Sequence, residues 1–286
     1  MTLKNFFSVV FYLIVIGLGL VVLNFLVEFT SLRVDKEPKW VLQWEDEFER
    51  AGKPDSSLWK YDIGDGCPRL CGWGNNELQY YTDSIKNVFI KDGRLHIKVL
   101  KDSIGNRAFS STRIKSRKDM LYGKLEVKLK NPKEVGTWPA VWMLPTQNEY
   151  GFWPRSGEID IMEHVGYNPD SIFGTVHTKA YNHLAKTEKG GSKVITDNES
   201  AFHLYGIIWD EEKIDFLIDD EIYYTFENEN KGSEEWPFDQ RFHLIMNVAV
   251  GGNWGGREGV SENISGQEMV VEYVRFYEDS NLEKKE

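Results

Sequence analysis

Most of the chain consists of short runs in which apolar and polar residues alternate. Residues 123–130, GKLEVKLK, are the clearest example, since their apolar side chains would all lie on one face of a half-buried strand. Residues 88–99 and 214–226 each contain two such runs joined by a tight polar turn, which predicts two hairpins. Residues 269–277 predict a closing strand. Many short strands without a long amphipathic helix predict an all-β fold, a two-sheet antiparallel sandwich.

The N-terminal pattern is different. Residues 6–27 are almost entirely apolar and carry no charge, which is long enough to cross a bilayer. We therefore expect a transmembrane or signal helix within 1–30, followed by a charged linker at 31–39, a globular domain at 40–280 and a tail at 281–286. The run exceeds the apolar core of an ordinary signal peptide, which favours an uncleaved anchor over a cleaved signal. Either case predicts an exported globular domain.

Composition narrows the choice of partners. The net charge of −11 argues against nucleic acid, because binding a phosphate backbone requires clustered Lys and Arg. Aromatic residues make up 14% of the chain, including ten Trp, and are suited to a core or to a sugar-binding groove. Cys67 and Cys71 are too few for a disulfide framework or, by themselves, a zinc site. A local disulfide and two free thiols both remain open.

Three carboxylates in the run GEIDIMEHVG are the strongest candidates for chemistry. On a strand, Glu158 and Asp160 share one face, and strict alternation would turn Glu163 to the opposite, apolar face. A β-bulge at Ile161-Met162 would return Glu163 to the acidic face, and bulges often re-aim side chains beside active sites. The sequence therefore predicts a bulged strand with three carboxylates pointing into a cleft.

Such a row of carboxylates matches the needs of a glycosidase. Neighbouring carboxylates repel each other, so that one of them holds its proton while another stays ionised. An acid and a nucleophile are the two groups that a retaining glycosidase uses. The alternative is an acidic strand that simply faces solvent, and the spacing E-x-D-x-x-E alone does not decide between them.

The residues around this run resemble glycoside hydrolase family 16 in its laminarinase-like, endo-β-1,3-glucanase form, in which Met162 is the extra bulge residue. The resemblance extends in order and spacing over residues 44–277. It is carried by further segments of the chain, which are 44–48, 72–81, 137–145, 236–239 and 247–256. It implies a jelly-roll sandwich with an open groove on its concave face and retaining chemistry.

Carried over by position, the resemblance implies that Glu158 is the nucleophile, that Asp160 assists it and that Glu163 is the acid/base. The function expected is endo-hydrolysis of β-1,3-glucan, and the partner is the polysaccharide. Mixed-linkage β-1,3-1,4-glucanase activity and transglycosylation are alternatives that use the same carboxylates. A non-catalytic glucan-recognition module is less expected, because such relatives have lost the carboxylates that this chain keeps.

Several residues are expected to bind the sugar. Trp138 and Trp142 lie four apart on one strand, so they share a face, and an indole ring can stack on the apolar side of a sugar. Core packing is the alternative for both. The resemblance adds Arg113 and His177, and Trp254 in a Gly-rich loop is a further candidate. Asn75, Asn76 and Glu77 could hydrogen-bond sugar hydroxyls or simply form a turn, and Asn76 is favoured among them. His164 directly follows Glu163 and is expected to be structural.

No cofactor is expected for catalysis, but the resemblance implies a structural Ca²⁺ on the convex face. Its expected ligands lie near Glu47, at the Gly93 turn and at Glu272, where the family has an Asp. Calcium accepts carboxylate and carbonyl oxygens, although the longer Glu side chain puts this site in doubt.

Overall fold

The computed structural model describes residues 37–281, and Trp40–Asp279 form one compact unit. The chain ends are grouped separately, and only residues 37–39 and 280–281 of them are described. The helix predicted within 1–30 lies outside the described residues. Over 37–281 the structure contains no helix that is both long and apolar enough to span a bilayer.

The described chain is built almost entirely from strands, as the alternating pattern predicts. One short 3₁₀ helix, Cys71–Gly74, interrupts them. The strands are β1 Trp40–Asp46, β2 Trp59–Asp62, β3 Gln79–Tyr81, β4 Val88–Lys91, β5 Arg94–Lys98, β6 Phe109–Ser111, β7 Arg113–Met120, β8 Gly123–Lys130, β9 Thr137–Pro145, β10 Glu158–Glu163, β11 Ser171–His177, β12 Lys189–Val194, β13 His203–Trp209, β14 Lys213–Ile218, β15 Glu221–Glu227, β16 Phe242–Val250 and β17 Glu268–Asp279.

Two large antiparallel sheets make up the sandwich, which confirms the predicted fold class. The eight-stranded sheet has the order β15-β14-β13-β8-β17-β5-β4, and β1 also pairs with β17. The seven-stranded sheet has the order β12-β11-β10-β9-β16-β7-β2. A small parallel pair, β3 and β6, lies apart from both sheets. The carboxylate-bearing strand β10 is thus flanked on both sides within the seven-stranded sheet.

The core lies between the inner faces of the two sheets. On β8 the apolar residues Leu125, Val127 and Leu129 are buried, whereas the alternate residues Lys124, Lys128 and Lys130 are partly exposed. Val141 and Ile159 of the seven-stranded sheet belong to the same apolar cluster. Period-two alternation therefore determines which side of each strand is buried in the core. Polar groups can then occupy the outer face of the seven-stranded sheet.

Both predicted hairpins are present. Between β4 and β5 the turn residues Asp92 and Gly93 have φ values of 53° and 69°. Between β14 and β15 they are Asp219 and Asp220, at 51° and 64°. Positive φ at both central residues gives the twist that antiparallel strands need, and Asp and Gly tolerate it.

Candidate active site

The predicted bulge is present on β10. Against β11, Asp160 pairs with Thr175 while Glu163 pairs with Phe173, so the two residues Ile161 and Met162 oppose the single residue Gly174. The shift also occurs against β9, between Asp160 and Met162. Because the ladder shifts by one residue, Glu163 returns to the face that carries Glu158 and Asp160.

Burial along β10 agrees with this arrangement. Ile159, Ile161 and Met162 are at most 1% exposed and belong to the core. Glu158 and Glu163 are only partly buried and line the cleft on the outer face of the sheet, together with Asp160. The two Glu residues pair with His177 and Phe173, four positions apart on β11, which corresponds to about 13 Å between their Cα atoms.

Burial raises the pKa values of all three carboxyls, and repulsion by neighbouring carboxylates adds to the rise at Glu158 and Glu163. Burial is the main cause of the rise in the Glu163 pKa to about 8, and the Asp160 charge adds to it. Burial raises the Asp160 pKa to about 7. The Glu158 pKa is also raised, by burial and then by Asp160, while His177 and Arg113 favour its ionised form. Protons are therefore shared within this group at neutral pH.

Two neighbours hold the carboxylates in place. The Trp138 indole N–H donates a 3.0 Å hydrogen bond to Glu163 Oε1. His177 Nε2 lies 3.3 Å from Asp160 Oδ2 and 4.0 Å from Glu158 Oε1. Trp138 thus orients Glu163, and His177 lies on the Asp160 side. This arrangement can supply one protonated acid and one ionised nucleophile.

An aromatic and cationic wall continues the cleft away from β10. Trp142 lies on the same face as Trp138 and donates a 2.8 Å hydrogen bond from its indole N–H to Asn247 Oδ1. The Arg113 guanidinium carbon lies 4.6 Å from the centre of the Trp142 ring and 4.7 Å from that of Trp73. Both Trp residues predicted to bind sugar therefore line the cleft, and Arg113 is held between two indole faces.

Trp254 reaches the site through a contact with Trp138. The two rings meet edge to face with centres 5.5 Å apart, and Trp254 also packs against Phe173. The Gly-rich loop permits this approach, because a Cβ at Gly255 would lie 2.7 Å from the Trp138 Cβ. Trp254 is therefore placed to fix the ring that bonds Glu163.

The 72–81 loop differs from expectation in detail. Asn76 has a φ of 56°, is exposed and donates a 2.8 Å hydrogen bond to Asn253. This geometry turns its side chain toward a neighbouring loop, and the cleft is lined by Asn75 and Glu77 instead. Strand alternation cannot predict this, since consecutive positive-φ residues reverse the faces within the loop.

Glu77, which the sequence offered as a sugar contact beside the favoured Asn76, lines the cleft. It is 7% exposed, and Gln79 donates a 2.7 Å hydrogen bond to its carboxylate. Burial raises its pKa. The only sequence signal for a role of Glu77 in the cleft was its position in the loop run NNELQYY, where Asn76 was favoured instead.

A disulfide joins Cys67 and Cys71, which resolves the alternatives left open by the sequence. It lies immediately before the loop residues Trp73, Asn75 and Glu77, so that the link braces the segment that presents them to the cleft.

Two further aromatic residues near His177 were not identified from the sequence. Trp153 lies with its ring centre 6.1 Å from His177, and His183 lies 5.1 Å from both rings. His183 is exposed, and burial of its ring together with the nearby His177 lowers its pKa. His164, predicted to be structural, is fully buried, with Nδ1 3.1 Å from the Ser171 carbonyl oxygen.

Two of the three residues predicted to bind calcium, Glu47 and Glu272, are engaged in ion pairs. The Glu47 carboxylate accepts hydrogen bonds of 2.7 and 3.1 Å from Arg275. Glu272 lies 2.8 Å from Lys128 and 3.4 Å from Arg94. Cationic side chains already neutralise both carboxylates, which removes the negative charge that would attract Ca²⁺.

Among residues 37–281, one group of carboxylate and imidazole side chains has a spacing suited to a metal ion. It consists of Glu158, Asp160 and His177, whose potential ligand atoms lie within 4.8 Å of one another. These are the groups that the proposed chemistry needs free, so a metal bound there would compete with the substrate.

The sequence pattern described as Glycosyl hydrolases family 16 matches residues 72–275. A β-glucanase from Rhodothermus marinus is 48% identical over 257 residues, covering 86% of this chain and 88% of that protein. The crystal structure of the laminarinase from Rhodothermus marinus superposes with a TM-score of 0.82 at 46% identity, covering 85% of this chain and 99% of that one.

A second solved structure is a mutant of SCLam, described as a non-specific endo-β-1,3(4)-glucanase, co-crystallised with 1,3-β-D-cellotriosyl-glucose. It superposes with a TM-score of 0.80 at 39% identity, covering 85% of this chain and 98% of that one. Fold, bulged strand and sequence pattern agree over most of the chain. The chain belongs to glycoside hydrolase family 16 and is a glycoside hydrolase.

Proposed function

We propose that this chain is a retaining endo-hydrolase of β-1,3-glucan. The observation that carries the proposal is the bulge on β10, which brings Glu158 and Glu163 to one face of the cleft. Retaining glycosidases need two carboxyl groups about 5–5.5 Å apart, one acting as nucleophile and the other as acid and then base. We expect side chains that lean toward each other from these positions to reach that separation.

In the first step, the Glu158 carboxylate attacks the anomeric carbon and the glycosidic bond breaks. Glu163 gives its proton to the leaving oxygen, and a covalent glycosyl–enzyme forms on Glu158. The raised pKa of Glu163, about 8, keeps this acid protonated at neutral pH. His177 and Arg113 favour the ionised form of Glu158.

In the second step, the Glu163 carboxylate takes a proton from water, and the resulting hydroxide attacks the anomeric carbon. The bond to Glu158 breaks, and the sugar leaves with its original β configuration. Trp138 steadies Glu163 through both steps, because its indole N–H bonds the carboxylate and favours the ionised form. Asp160 lies between the two Glu residues and exchanges charge with them.

The choice of β-1,3-glucan is supported by the relatives named laminarinase and β-glucanase. Mixed-linkage β-1,3-1,4-glucan is the second candidate substrate, because SCLam is described as acting on β-1,3(4)-glucan. Transglycosylation uses the same intermediate with a sugar in place of water. A non-catalytic glucan-recognition module is disfavoured, because the three carboxylates are present in an acid–nucleophile arrangement.

We also propose that the enzyme acts outside the cytoplasm, as a membrane-anchored or secreted protein. The apolar run at 6–27 supports export, and the Cys67–Cys71 disulfide is typical of an oxidising compartment. A structural calcium ion at Glu47, Gly93 and Glu272 stays a prediction from the sequence. The ion pairs of both Glu residues argue against it.

The substrate panel tests this proposal. The purified chain is offered laminarin, lichenan and cellulose, and new reducing ends are measured over time. We expect rapid release of oligosaccharides from laminarin. Faster cleavage of lichenan would identify a mixed-linkage enzyme, and no release from any of the three would contradict the proposed activity.

A further inference from the structure

A cationic group on β7 and β2 lies beside the cleft, and its Arg113 lines the cleft itself. Arg113 and Lys115 contact one carboxylate, Asp62, and Lys60 is the strand partner of Lys115. We call these four residues the cationic end. Arg113 Nε lies 3.0 Å from Asp62 Oδ2, and Lys115 Nζ lies 2.5 Å from Asp62 Oδ1. Three cations against one carboxylate leave net positive charge on a chain whose overall charge is −11.

Strand pairing connects this group to the carboxylates of β10. Asp160 pairs with Trp142, Trp142 with Ile245, Ile245 with Lys115 and Lys115 with Lys60, which forms one continuous row across the seven-stranded sheet. Neighbouring strands lie about 4.8 Å apart, so Lys115 and Lys60 are about 14 and 19 Å from the Asp160 backbone. A polysaccharide crossing the strands in the cleft passes over this row.

The pKa of His243, on the neighbouring strand β16, is lowered in part by the same three cations. His243 lies two residues before Ile245 on β16, so both side chains point to the cleft face. Its pKa is lowered to about 4 by burial and then by Lys115, Lys60 and Arg113, against an opposing effect of Asp62.

Arg113 also acts on the Glu77 and Glu158 carboxyls, so the positive charge available to a ligand comes mainly from Lys60 and Lys115. Asp119, which pairs with His243 in the strand ladder, lies 3.3 Å from Arg241 and is already neutralised. Lys60 is exposed, and within residues 37–281 it has no carboxylate at ion-pair distance. Its ammonium group is therefore available to a ligand in the cleft.

We propose that the cationic end is a subsite for an anionic substituent, a carboxylate or a sulfate ester, on the sugar rings of the glucan. Lys60 and Lys115 would hold the anion, while Asp62 fixes Lys115 and Arg113 beside it. Neutral hydroxyl groups need donors and acceptors, but they do not need an uncompensated ammonium group. This inference rests on the proposed glucanase function and names the substrate class more closely.

Binding is measured with the Glu158→Gln variant of the full chain, because without turnover the ligand stays intact. Calorimetry compares three β-1,3-gluco-oligosaccharides of equal length, namely neutral, oxidised at C6 to the carboxylate, and sulfated. We expect both anionic ligands to bind more tightly than the neutral one, with a preference that weakens at high salt. A preference for only one of them identifies which anion the subsite accepts.

The Lys60→Glu substitution, placed in the same Glu158→Gln background, should reduce the preference for anionic over neutral ligand about fivefold. Lys91→Glu is the matched control, since Lys91 is an exposed lysine on the other sheet and should leave the preference unchanged. Equal affinity for all three ligands, or a preference that Lys60→Glu does not reduce, would overturn the subsite. If wild type cleaves no glucan and the preference persists, the proposed activity fails while the subsite stands.

Discussion

Two groups of carboxylates in this molecule show how catalytic carboxyls differ from carboxylates in structural ion pairs. On β10, Glu158, Asp160 and Glu163 lie in a buried row, and the Glu163 pKa rises to about 8. On the eight-stranded sheet, Glu272 lies between Lys128 and Arg94, and Lys128 holds its pKa below the usual range. The first group keeps a proton available for chemistry, whereas the second stays ionised within an ion pair.

The difference comes from the partners rather than from the residue type. Among residues 37–281, no Lys or Arg lies at ion-pair distance from the β10 carboxyls, and burial is the largest cause of their raised pKa values. By contrast, Glu272 on the eight-stranded sheet forms an ion pair with Lys128, and Glu47, which directly follows β1, forms one with Arg275. A buried carboxyl without a cation is costly, and such strain is characteristic of functional sites.

The largest expected effect is on the nucleophile. Glu158→Ala removes the group that forms the covalent intermediate, and we expect kcat to fall by about 10⁴-fold or more. Binding of a laminarin oligosaccharide should change little, because the Trp residues and Arg113 remain. Rate assays with laminarin and calorimetry check the two parts, and substantial residual turnover would remove Glu158 from the nucleophile role.

The pKa of the acid Glu163 should determine the pH above which activity declines. Activity requires protonated Glu163, so we expect kcat/KM to decline as the pH rises through about 8. Trp138→Phe deletes the hydrogen bond that favours the ionised form, which should raise the Glu163 pKa and move the decline to higher pH by about one unit. Trp142→Phe, whose indole bonds Asn247, is the control and should leave the decline in place.

The thermal stability of the protein should also depend on the protonation of Glu163. The folded-state pKa of Glu163 lies above its unfolded value of 4.5, so the protonated form is stabilised by folding at low pH. That contribution is lost as the pH rises from about 4.5 through about 8. We expect the wild-type Tm to fall by roughly 5 °C more than that of Glu163→Gln between pH 5 and pH 9. Parallel Tm curves would mean that Glu163 is already ionised in the folded chain.

The smallest expected effect is that of removing an ion-paired carboxylate, Glu272, on the stability of the protein. Because Glu272 is partly exposed and ion-paired, Glu272→Gln should change the free energy of unfolding by no more than about 1 kcal/mol. Adding Ca²⁺ or EDTA should leave Tm unchanged. A clear rise in Tm with Ca²⁺, abolished by Glu272→Gln, would restore the calcium site predicted from the sequence.

Local patterns were sufficient for most of the fold. Alternation in 123–130 predicted β8, and the polar turns predicted both hairpins, because period-two burial and turn chemistry are local properties. The bulge at Ile161-Met162 was also predictable, since three carboxylates could share a face only with one extra residue. These features depend on residues adjacent in sequence.

The less predictable features depend on contacts between distant segments. Asn76 and Asn253 meet across two loops, and this contact leaves Glu77 facing the cleft. Likewise, no local pattern shows that Arg275 will reach Glu47, 228 residues away. The cationic end similarly exists only because β2 and β7 pair beside the cleft.

Anomeric analysis tests the central claim that Glu158 and Glu163 form a retaining pair. Proton NMR follows wild-type hydrolysis of laminari-oligosaccharides within the first minutes, before mutarotation mixes the anomers. We predict that the β anomer of the new reducing end appears first and that the α anomer follows slowly. Initial release of the α anomer would show that water attacks directly, and it would contradict the double displacement on Glu158.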